Sequence, residues 1–306
     1  QMSSKNVQSR VKMGVMTFTA KIDLQFAPKL QKDLESQGFA ISRPPYTAFS
    51  AKKKGVTCTL YESGSLIVQG KEMKEFIEFY LEPEILQSFQ YSHPEAHLDL
   101  EPHIGMDEAG KGDFFGPLCV AAMYADASGI TTLLKLGVKD SKRMSDSSIT
   151  KLAKKLRSEF PYTTIRLFPK KYNELYGKFK NLNRLLGWAH ASALGDLATK
   201  TGCKKALLDQ FAKDYVMESA LKQKKIELAF QQKVRAEEDL VVAGASIIAR
   251  SAFLDGLKVL SEEIGMELPK GAGPPVIAAA KKLVSQWGKE GLDKVAKTHF
   301  KTMAEL

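Results

Sequence analysis

The first ninety residues show one helical pattern followed by several short strand patterns. In residues 23–38 the apolar side chains recur at helical spacing and the segment ends at Gly38, which predicts an amphipathic helix. Three segments of alternating apolar and polar residues come next, separated by turns that contain glycine. We predict these strands at 46–51, 56–61 and 65–68. With a second helix over 71–89, the region is predicted to form a small α+β unit.

After a polar, proline-containing stretch, strand and helix patterns alternate along the rest of the chain. The predicted strands lie at 104–109, 118–125, 163–168 and 205–208, with a further candidate at 226–230. The predicted helices lie at 145–160, 171–200, 240–264 and 276–287. This alternation is typical of an α/β domain. We therefore expect one domain over 1–90, a linker over 91–103 and a second domain over 104–306.

Composition narrows the class of protein. Of the 306 residues, 44% are hydrophobic and 26% are charged, as in ordinary soluble globular proteins, which argues against a fibrous or disordered chain. The longest apolar stretch, 114–125, is interrupted by Gly116 and Pro117 and is shorter than the roughly 20 residues that a membrane-spanning helix needs. The first 20 residues contain no long apolar stretch, so no secretory signal is expected. We expect a cytoplasmic protein that does not bind a membrane.

The 3 cysteines are scattered and lack the spacing of a zinc site, which argues against a disulfide framework or a cysteine-bound metal. Net charge gives the first positive indication of a partner. Lysine and arginine number 45 against 35 acidic residues, and the net charge of +10 suits nucleic acid. A basic enzyme without a polyanionic partner fits the same charge. Lys52–Lys54 lie in a predicted turn, where they could contact phosphates or form a solvated loop.

The most informative segment is 104–117, in which an acidic pair ends an apolar strand and runs into a Gly-Lys-Gly loop. Part of this segment matches a phosphate-binding loop of nucleotide hydrolases. That motif, however, needs serine or threonine where this chain has Gly112, and the carboxylates of Asp107 and Glu108 would repel a triphosphate. We therefore expect no nucleotide cofactor.

Two carboxylates beside a polyanion need a compensating positive charge, which divalent cations supply. A site for two such cations needs three or four acids, so further candidates were sought. Asp209 ends a predicted buried strand, where active sites of α/β proteins form. Glu237, Glu238 and Asp239 precede the long helix over 240–264. On spacing alone, carboxylates at that position are better explained as favourable charges at a helix N-terminus.

Several ordered motifs resemble those of one enzyme family. The segment DEAGKGDFFGP at 107–117 resembles the signature of type 2 ribonucleases H, in the form found in bacterial ribonuclease HIII. Further matches follow in the same order along the chain. They are VKDSK at 138–142, LDQF at 208–211, RAE at 235–237, ASIIAR at 245–250 and VAKTHF at 295–300.

The resemblance implies a ribonuclease H-like mixed five-stranded sheet flanked by helices. It also implies that a small α+β domain, similar to a TATA-box-binding protein, precedes this sheet and binds the substrate. It implies a metal-binding catalytic quartet that holds two Mg²⁺ or Mn²⁺ ions. The quartet falls on Asp107, Glu108, Asp209 and Glu237, with Glu238 as an alternative for the last.

The same resemblance implies which residues contact nucleic acid. The backbone of Gly110, Lys111 and Gly112 is expected to contact the ribose, because glycine lets another molecule approach the chain closely. The Ser141, Lys142 and Arg143 side chains are expected near a phosphate, although a solvated loop would carry the same residues. His190 and His299 are interpreted as structural.

The implied activity is hydrolysis of the RNA strand of RNA–DNA hybrids by a monomer, leaving 5′-phosphate and 3′-hydroxyl ends. Two alternatives stay open, namely incision at single ribonucleotides embedded in DNA, as by ribonuclease HII, and hybrid binding without cleavage. One geometric difficulty accompanies the assignment. Neighbouring strand residues point to opposite faces, so Asp107 and Glu108 can share a site only if the strand ends or twists there.

Overall fold

The computed structural model describes residues 7–12, 15–87, 91, 98–138, 141 and 144–306. The chain divides into two compact units, Gln1–Asp99 and Leu100–Leu306. The division falls inside residues 91–103, which are predicted to form a linker.

The first unit is built on an antiparallel sheet of six strands in the order β1-β2-β6-β5-β4-β3. Its strands are β1 (Val7–Lys12), β2 (Val15–Lys21), β3 (Ala40–Ser42), β4 (Thr47–Lys53), β5 (Val56–Tyr61) and β6 (Ser65–Gln69). Its helices are α1 (Ala27–Ser36) and α2 (Met73–Phe76), which continues as a wider π-helix over Ile77–Leu86. The expected α+β class is therefore confirmed, although β1, β2 and β3 were not predicted.

Alternation along the strands gives this sheet one apolar and one polar face. In β4 and β5, every second side chain is buried, including Phe49 and Leu60, and packs in a cluster with Leu30 of α1 and Ile77. The intervening residues are partly exposed. They include Ser50, whose hydroxyl lies 2.9 Å from that of Thr59 on the neighbouring strand. One face of the sheet thus forms the core with the helices, while the other is polar.

The second unit contains the mixed five-stranded sheet that the resemblance implies, in the order β11-β10-β7-β8-β9. Its strands are β7 (His103–Ala109), β8 (Leu118–Ala125), β9 (Tyr162–Leu167), β10 (Lys205–Asp209) and β11 (Ala229–Lys233). The first three form an antiparallel meander, and β10 runs parallel to both β7 and β11. The ribonuclease H-like fold class is confirmed.

The helices of this unit lie on both sides of the sheet. They are α3 (Ala127–Lys135), α4 (Asp146–Glu159), α5 (Pro169–Phe179), α6 (Leu182–Thr201), α7 (Asp214–Gln223), α8 (Leu240–Ile264) and α9 (Pro274–Trp287). Short 3₁₀ turns at Ala236–Glu238, Lys289–Lys294 and Lys301–Glu305 complete the unit. The single helix predicted over 171–200 is two helices, because the chain turns at Lys180 with a left-handed φ of 50°. The strand candidate at 226–230 begins later, at Ala229.

The helix α8 packs against β7 at very short range. A Cβ added at Gly105 would lie 2.3 Å from backbone atoms of Val241 and Val242, so glycine is needed for this contact. The neighbouring residues Ile104 and Met106 point to the other face of the sheet, where they pack in a cluster with residues of α6. The two faces of β7 therefore meet different helices.

Within the described residues, α8 is the one helix long and apolar enough to cross a membrane. Of its most apolar window, 78% is buried inside the protein, as in the core helix of a globular domain. Length and composition therefore give only weak support for a membrane span.

Candidate active site

The first two acids lie where two parallel strands separate. The strands β7 and β10 pair from Ile104 to Met106 of β7, and the last pair joins Met106 to Leu208. Asp107 and Glu108 follow immediately on β7, and Asp209 is the last residue of β10. The carboxyl ends of neighbouring parallel strands are where clefts form in α/β sheets. Three of the four predicted acids therefore share one edge of the sheet.

Asp107 has a strongly raised pKa. Its side chain is buried, and burial is the main reason that its pKa rises to about 7, with the carboxylates of Glu108 and Asp209 raising it further. Hydrogen bonds from the Ser246 hydroxyl and from the Glu108 backbone N–H, at 2.7 Å, oppose this rise. The Asp107 carboxylate thus lies in a crowded negative environment that a cation would relieve.

Glu108 is held from the opposite side of the sheet. Its Oε2 accepts a hydrogen bond from Nε2 of His190 at 3.1 Å, and its Oε1 lies 3.4 Å from Nζ of Lys111. Burial raises the pKa of Glu108, but the His190 hydrogen bond and the nearby positive charge outweigh burial, so the pKa falls below its ordinary value. The two neighbouring acids therefore have pKa values shifted in opposite directions.

Of the two possibilities considered for these acids, an end of the strand and a twist, the first does not occur. The strand β7 continues to Ala109, and Asp107, Glu108 and Ala109 remain paired with successive residues of β8. Asp107 contacts Ser246 of α8, whereas Glu108 contacts His190 of α6, as neighbouring strand residues should.

Asp209 connects the strand edge to the segment that carries the remaining candidates. Its Oδ1 accepts a hydrogen bond from the backbone N–H of Ala236 at 3.0 Å, which holds the 3₁₀ turn Ala236–Glu238 beside it. Within that turn Glu237 is partly buried and Glu238 is exposed. This difference favours Glu237 over Glu238 as the fourth acid.

The third acid of this run has a structural role. Asp239 caps α8, since its Oδ1 accepts hydrogen bonds from the backbone N–H groups of Val241 and Val242 at 2.9 and 3.0 Å. The same oxygen lies 3.1 Å from Nε2 of His103. For Asp239, the interpretation as a helix N-terminal charge holds.

The Gly-Lys-Gly loop follows β7 directly. Gly110 has a left-handed φ of 86°, and a Cβ there would lie 2.1 Å from the carbonyl oxygen of Pro117, so the fold itself requires glycine. Gly112 differs, because a Cβ there would meet no atom of the described residues within 4 Å. Internal packing therefore gives no reason for glycine at position 112.

The predicted phosphate contacts are only partly within the described residues. Ser141 is buried, and its hydroxyl lies 2.8 Å from that of Ser246, the residue that also bonds Asp107. The hydroxyl of Ser141 is thus engaged inside the protein, and its contact with a phosphate stays a prediction. Lys142 and Arg143 lie outside the described residues.

Known proteins resemble the chain over most of its length. Residues 104–303 match the family model described as Ribonuclease HII, and residues 17–93 match a Domain of unknown function (DUF3378). The ribonuclease HIII of Protochlamydia amoebophila (strain UWE25) is 53% identical over 286 residues, which cover 94% of this chain and 95% of that protein. The ribonuclease HIII of Chlamydia felis (strain Fe/C-56) is 50% identical over 280 residues, which cover 90% and 93%. The chain belongs to the ribonuclease HIII family.

A solved structure agrees with this assignment. The crystal structure of Bst-RNase HIII in complex with Mn²⁺ matches with a TM-score of 0.67 and 29% identity, over 94% of this chain and 97% of that chain. As a member of the ribonuclease HIII family, the chain is a metal-dependent endoribonuclease that acts on RNA–DNA hybrids and uses Mg²⁺ or Mn²⁺.

The donor atoms at this edge suit the metals that the ribonuclease HIII family uses. Carboxylate oxygens are the ligands that Mg²⁺ and Mn²⁺ prefer. The carboxylates of Glu108 and Asp209 lie near enough to Asp107 to raise its pKa in addition to the larger effect of burial. Within the described ranges, no three histidine, cysteine, aspartate or glutamate side chains already surround one point closely enough to hold an ion. In the part of the chain that the structure describes, the acids therefore do not form a closed ion site.

Sequence reasoning missed two residues of this site. His190 was interpreted as structural, yet it is fully buried, stacks on Phe211 with ring centroids 4.7 Å apart, and bonds Glu108. Ser246 lies in a matched motif but received no role, and it contacts both Asp107 and Ser141. Both residues lie on apolar helices far from the acids in sequence, and no local pattern distinguishes them from core residues.

Proposed function

We propose that the chain cuts the RNA strand of RNA–DNA hybrids internally, with Asp107, Glu108, Asp209 and Glu237 as ligands of two divalent cations. The observation that carries this proposal is the crowding of carboxylates around Asp107 at the edge where β7 and β10 separate. When bound, the two cations supply a nucleophile from water and stabilise the leaving oxygen, giving 5′-phosphate and 3′-hydroxyl ends.

The protein's own part is to hold these carboxylates in position. Ser246 orients Asp107 through its hydroxyl, while His190 and Lys111 keep Glu108 ionised and fix its direction. The backbone N–H of Ala236 does the same for Asp209. The acids are thus held from three directions, which limits the rearrangement required before chemistry.

The Gly110–Gly112 backbone is proposed to contact the ribose of the RNA strand. The open space at Gly112 supports this role, because glycine there leaves room for a molecule from outside the fold. The 2′-hydroxyl is the group that distinguishes RNA from DNA, and a backbone loop offers both donors and acceptors to it. Ser141, Lys142 and Arg143 are proposed to lie near a phosphate of the same substrate.

The first unit, predicted over 1–90, is proposed to bind the hybrid without reading bases. Its polar sheet face and the turn after β4 are the two candidate surfaces. Lys52 and Lys53 at the end of β4 and Lys54 in the turn are all exposed, contrary to the prediction that places all three in the turn. Lys53 also donates a hydrogen bond to the Gln37 carbonyl at 2.9 Å. Contacts of lysine with phosphates add affinity that does not depend on sequence. The proposal further includes a monomeric, cytoplasmic enzyme that needs no nucleotide cofactor.

A hydrolysis assay tests the proposed activity. An RNA–DNA hybrid labelled at the 3′ end of the RNA is incubated with the protein in Mg²⁺, in Mn²⁺ and in excess chelator, and the 5′ ends of the labelled products are identified by their sensitivity to phosphatase. Internal cuts that require metal and leave 5′-phosphates are expected. Hybrid binding without cleavage in either metal would instead support a non-catalytic protein.

A second activity deserves a direct comparison, since the catalytic unit matches the family model described as Ribonuclease HII. A DNA duplex with one embedded ribonucleotide is the discriminating substrate. Cleavage of a continuous hybrid at a higher kcat/KM than this duplex is expected. The reverse order would favour incision at single ribonucleotides.

A further inference from the structure

The Gly110–Pro117 loop is fastened by two segments that are far away in sequence. On one side the backbone N–H of Phe114 donates to the Gly271 carbonyl at 2.8 Å, and the N–H of Gly271 donates to Oδ1 of Asp113 at 2.7 Å. On the other side the N–H of Gly116 donates to the Val295 carbonyl at 3.1 Å. These contacts fix the loop from outside β7.

Lys297 adds a second fastening on the same side, from inside the protein. It is fully buried, and its Nζ donates to the carbonyl oxygens of Gly116 at 2.6 Å and Phe115 at 3.4 Å. The Nζ also lies 5.8 Å from the centre of the Tyr172 ring, over its face. Burial lowers the pKa of Lys297 to about 7, while the negative charge of Asp113 opposes this shift.

A buried lysine is costly to retain, which calls for an explanation. Replacing a buried charged group by an apolar side chain of similar volume is often neutral or stabilising. Global stability is therefore a poor reason for lysine at position 297. Its amine instead holds two loop carbonyls in fixed directions, and it donates to them whether or not it carries a charge.

The segment that carries these carbonyl groups packs against the loop that is predicted to contact the ribose. Gly116 precedes Pro117, whose carbonyl oxygen packs against Gly110 so closely that an added Cβ would lie 2.1 Å away. The turn is closed by the N–H of Asp113, which donates to the Gly110 carbonyl at 3.3 Å. The position of the Gly116–Pro117 peptide therefore determines where the Gly110–Gly112 backbone lies.

We propose that Lys297 is a positioning residue for substrate selectivity. It holds the Gly110–Gly112 backbone in the position from which the backbone can contact the ribose 2′-hydroxyl. This inference rests on the proposed function, because it assumes that the loop contacts the ribose. Lys297 itself touches neither the acids nor the substrate.

The test is the Lys297→Met variant, which keeps the length of the side chain and removes its donors. Two constants are measured, KM for cleavage of an RNA–DNA hybrid and Ki for inhibition by an all-DNA duplex of the same sequence. We expect KM to rise about tenfold, the effect of losing about one hydrogen bond, with kcat changing less. Ki should change less than twofold, because the DNA duplex has no 2′-hydroxyl to lose. The matched control is Lys301→Met, an exposed lysine of the same segment, which should leave both constants unchanged.

Parallel rises of KM and Ki would overturn the proposal, since a general loss of structure weakens both ligands equally. An unchanged ratio of the two constants would overturn it as well. If Lys297→Met does not fold, Asp113→Ala removes the opposite fastening at Gly271 and should raise KM without raising Ki. Failure of the wild-type chain to cleave any hybrid would contradict the proposed function itself, whereas an active variant with unchanged selectivity contradicts only the role of Lys297.

Discussion

Asp107 lies among Glu108, Asp209 and Ser246 at the strand edge. Replacing one of its carboxylate oxygens by an amide nitrogen tests its role. Asp107→Asn keeps the shape of the side chain but removes the negative charge that would bind a cation. Cleavage of the hybrid should fall at least about a thousandfold, as for other groups that act together in catalysis. Binding of the hybrid, measured by fluorescence anisotropy, should stay within a few-fold of wild type. Turnover retained at the wild-type rate would contradict the metal assignment.

The neighbouring pair Glu237 and Glu238 offers a matched comparison. Glu237 is partly buried in the turn beside Asp209, whereas Glu238 is exposed. Glu237→Gln should lower kcat at least about a hundredfold, because it removes one ligand charge. Glu238→Gln should retain kcat within about twofold. The opposite result, measured in the same hydrolysis assay, would assign the fourth position to Glu238.

At the scale of elements, the N-terminus of α8 couples the site to the core. Asp239 caps this helix and bonds His103 at the start of β7. Asp239→Ala should lower the free energy of unfolding by about 1–2 kcal/mol, as for other lost helix caps. Asp239→Asn, which can still accept the backbone hydrogen bonds, should cost less. Urea unfolding at pH 7 measures both variants.

The pH dependence of this cap follows from its ionisation. Burial raises the pKa of Asp239, but its hydrogen bonds with His103 and the helix backbone outweigh burial, so the pKa lies below the ordinary value of 3.8. A carboxyl with a lowered pKa contributes stability above its unfolded pKa and loses it as the pH falls. The stability difference between wild type and Asp239→Asn should therefore shrink below about pH 4. A difference that grows with acid would refute this sign.

Elements with a clear pattern of apolar residues could be predicted from the sequence, whereas strands that form mainly by pairing with a neighbouring strand could not. The strand β5 follows from alternating apolar and polar residues, whereas β7, β8 and α8 follow from apolar segments of strand or helix length. The strand β1 carries a mixed polar sequence and forms by pairing with β2. Backbone pairing of that kind leaves little trace in side-chain pattern.

The part of the candidate site that lies in local sequence features could be predicted, and the part that depends on packing could not. Acids at strand ends and a glycine loop are local features of the sequence, so Asp107, Glu108 and Asp209 could be named. The roles of His190 and Lys297 arise only when distant helices and loops pack around those acids and that loop. Chain folding, and not local sequence, brings such residues to the site.

At the scale of the whole molecule, the two units have separate cores, and we expect them to affect different kinetic constants. Among the described residues, the apolar cluster around Phe49 in the first unit shares no residue with the clusters around Leu208 and Phe253 in the second. Removal of residues 1–99 should raise KM at least about tenfold while kcat stays within about threefold, because phosphate contacts add affinity without touching the reacting atoms. The slope of log affinity against log salt concentration should also become shallower.

Two measurements control this truncation. Circular dichroism and thermal unfolding of residues 100–306 establish that the shortened protein is folded, and hybrid affinity is then compared at several salt concentrations. Equal affinity and an equal salt slope with and without the first unit would show that this unit does not bind the substrate.

The contacts of Val295 and Lys297 with the loop after β7 also have a consequence for synthesis. While the ribosome is still translating, the glycine loop emerges long before Val295 and Lys297, which secure it. A nascent chain can therefore bury its central sheet early, yet the loop lacks these fastenings until translation has passed residue 297 and the segment has left the exit tunnel.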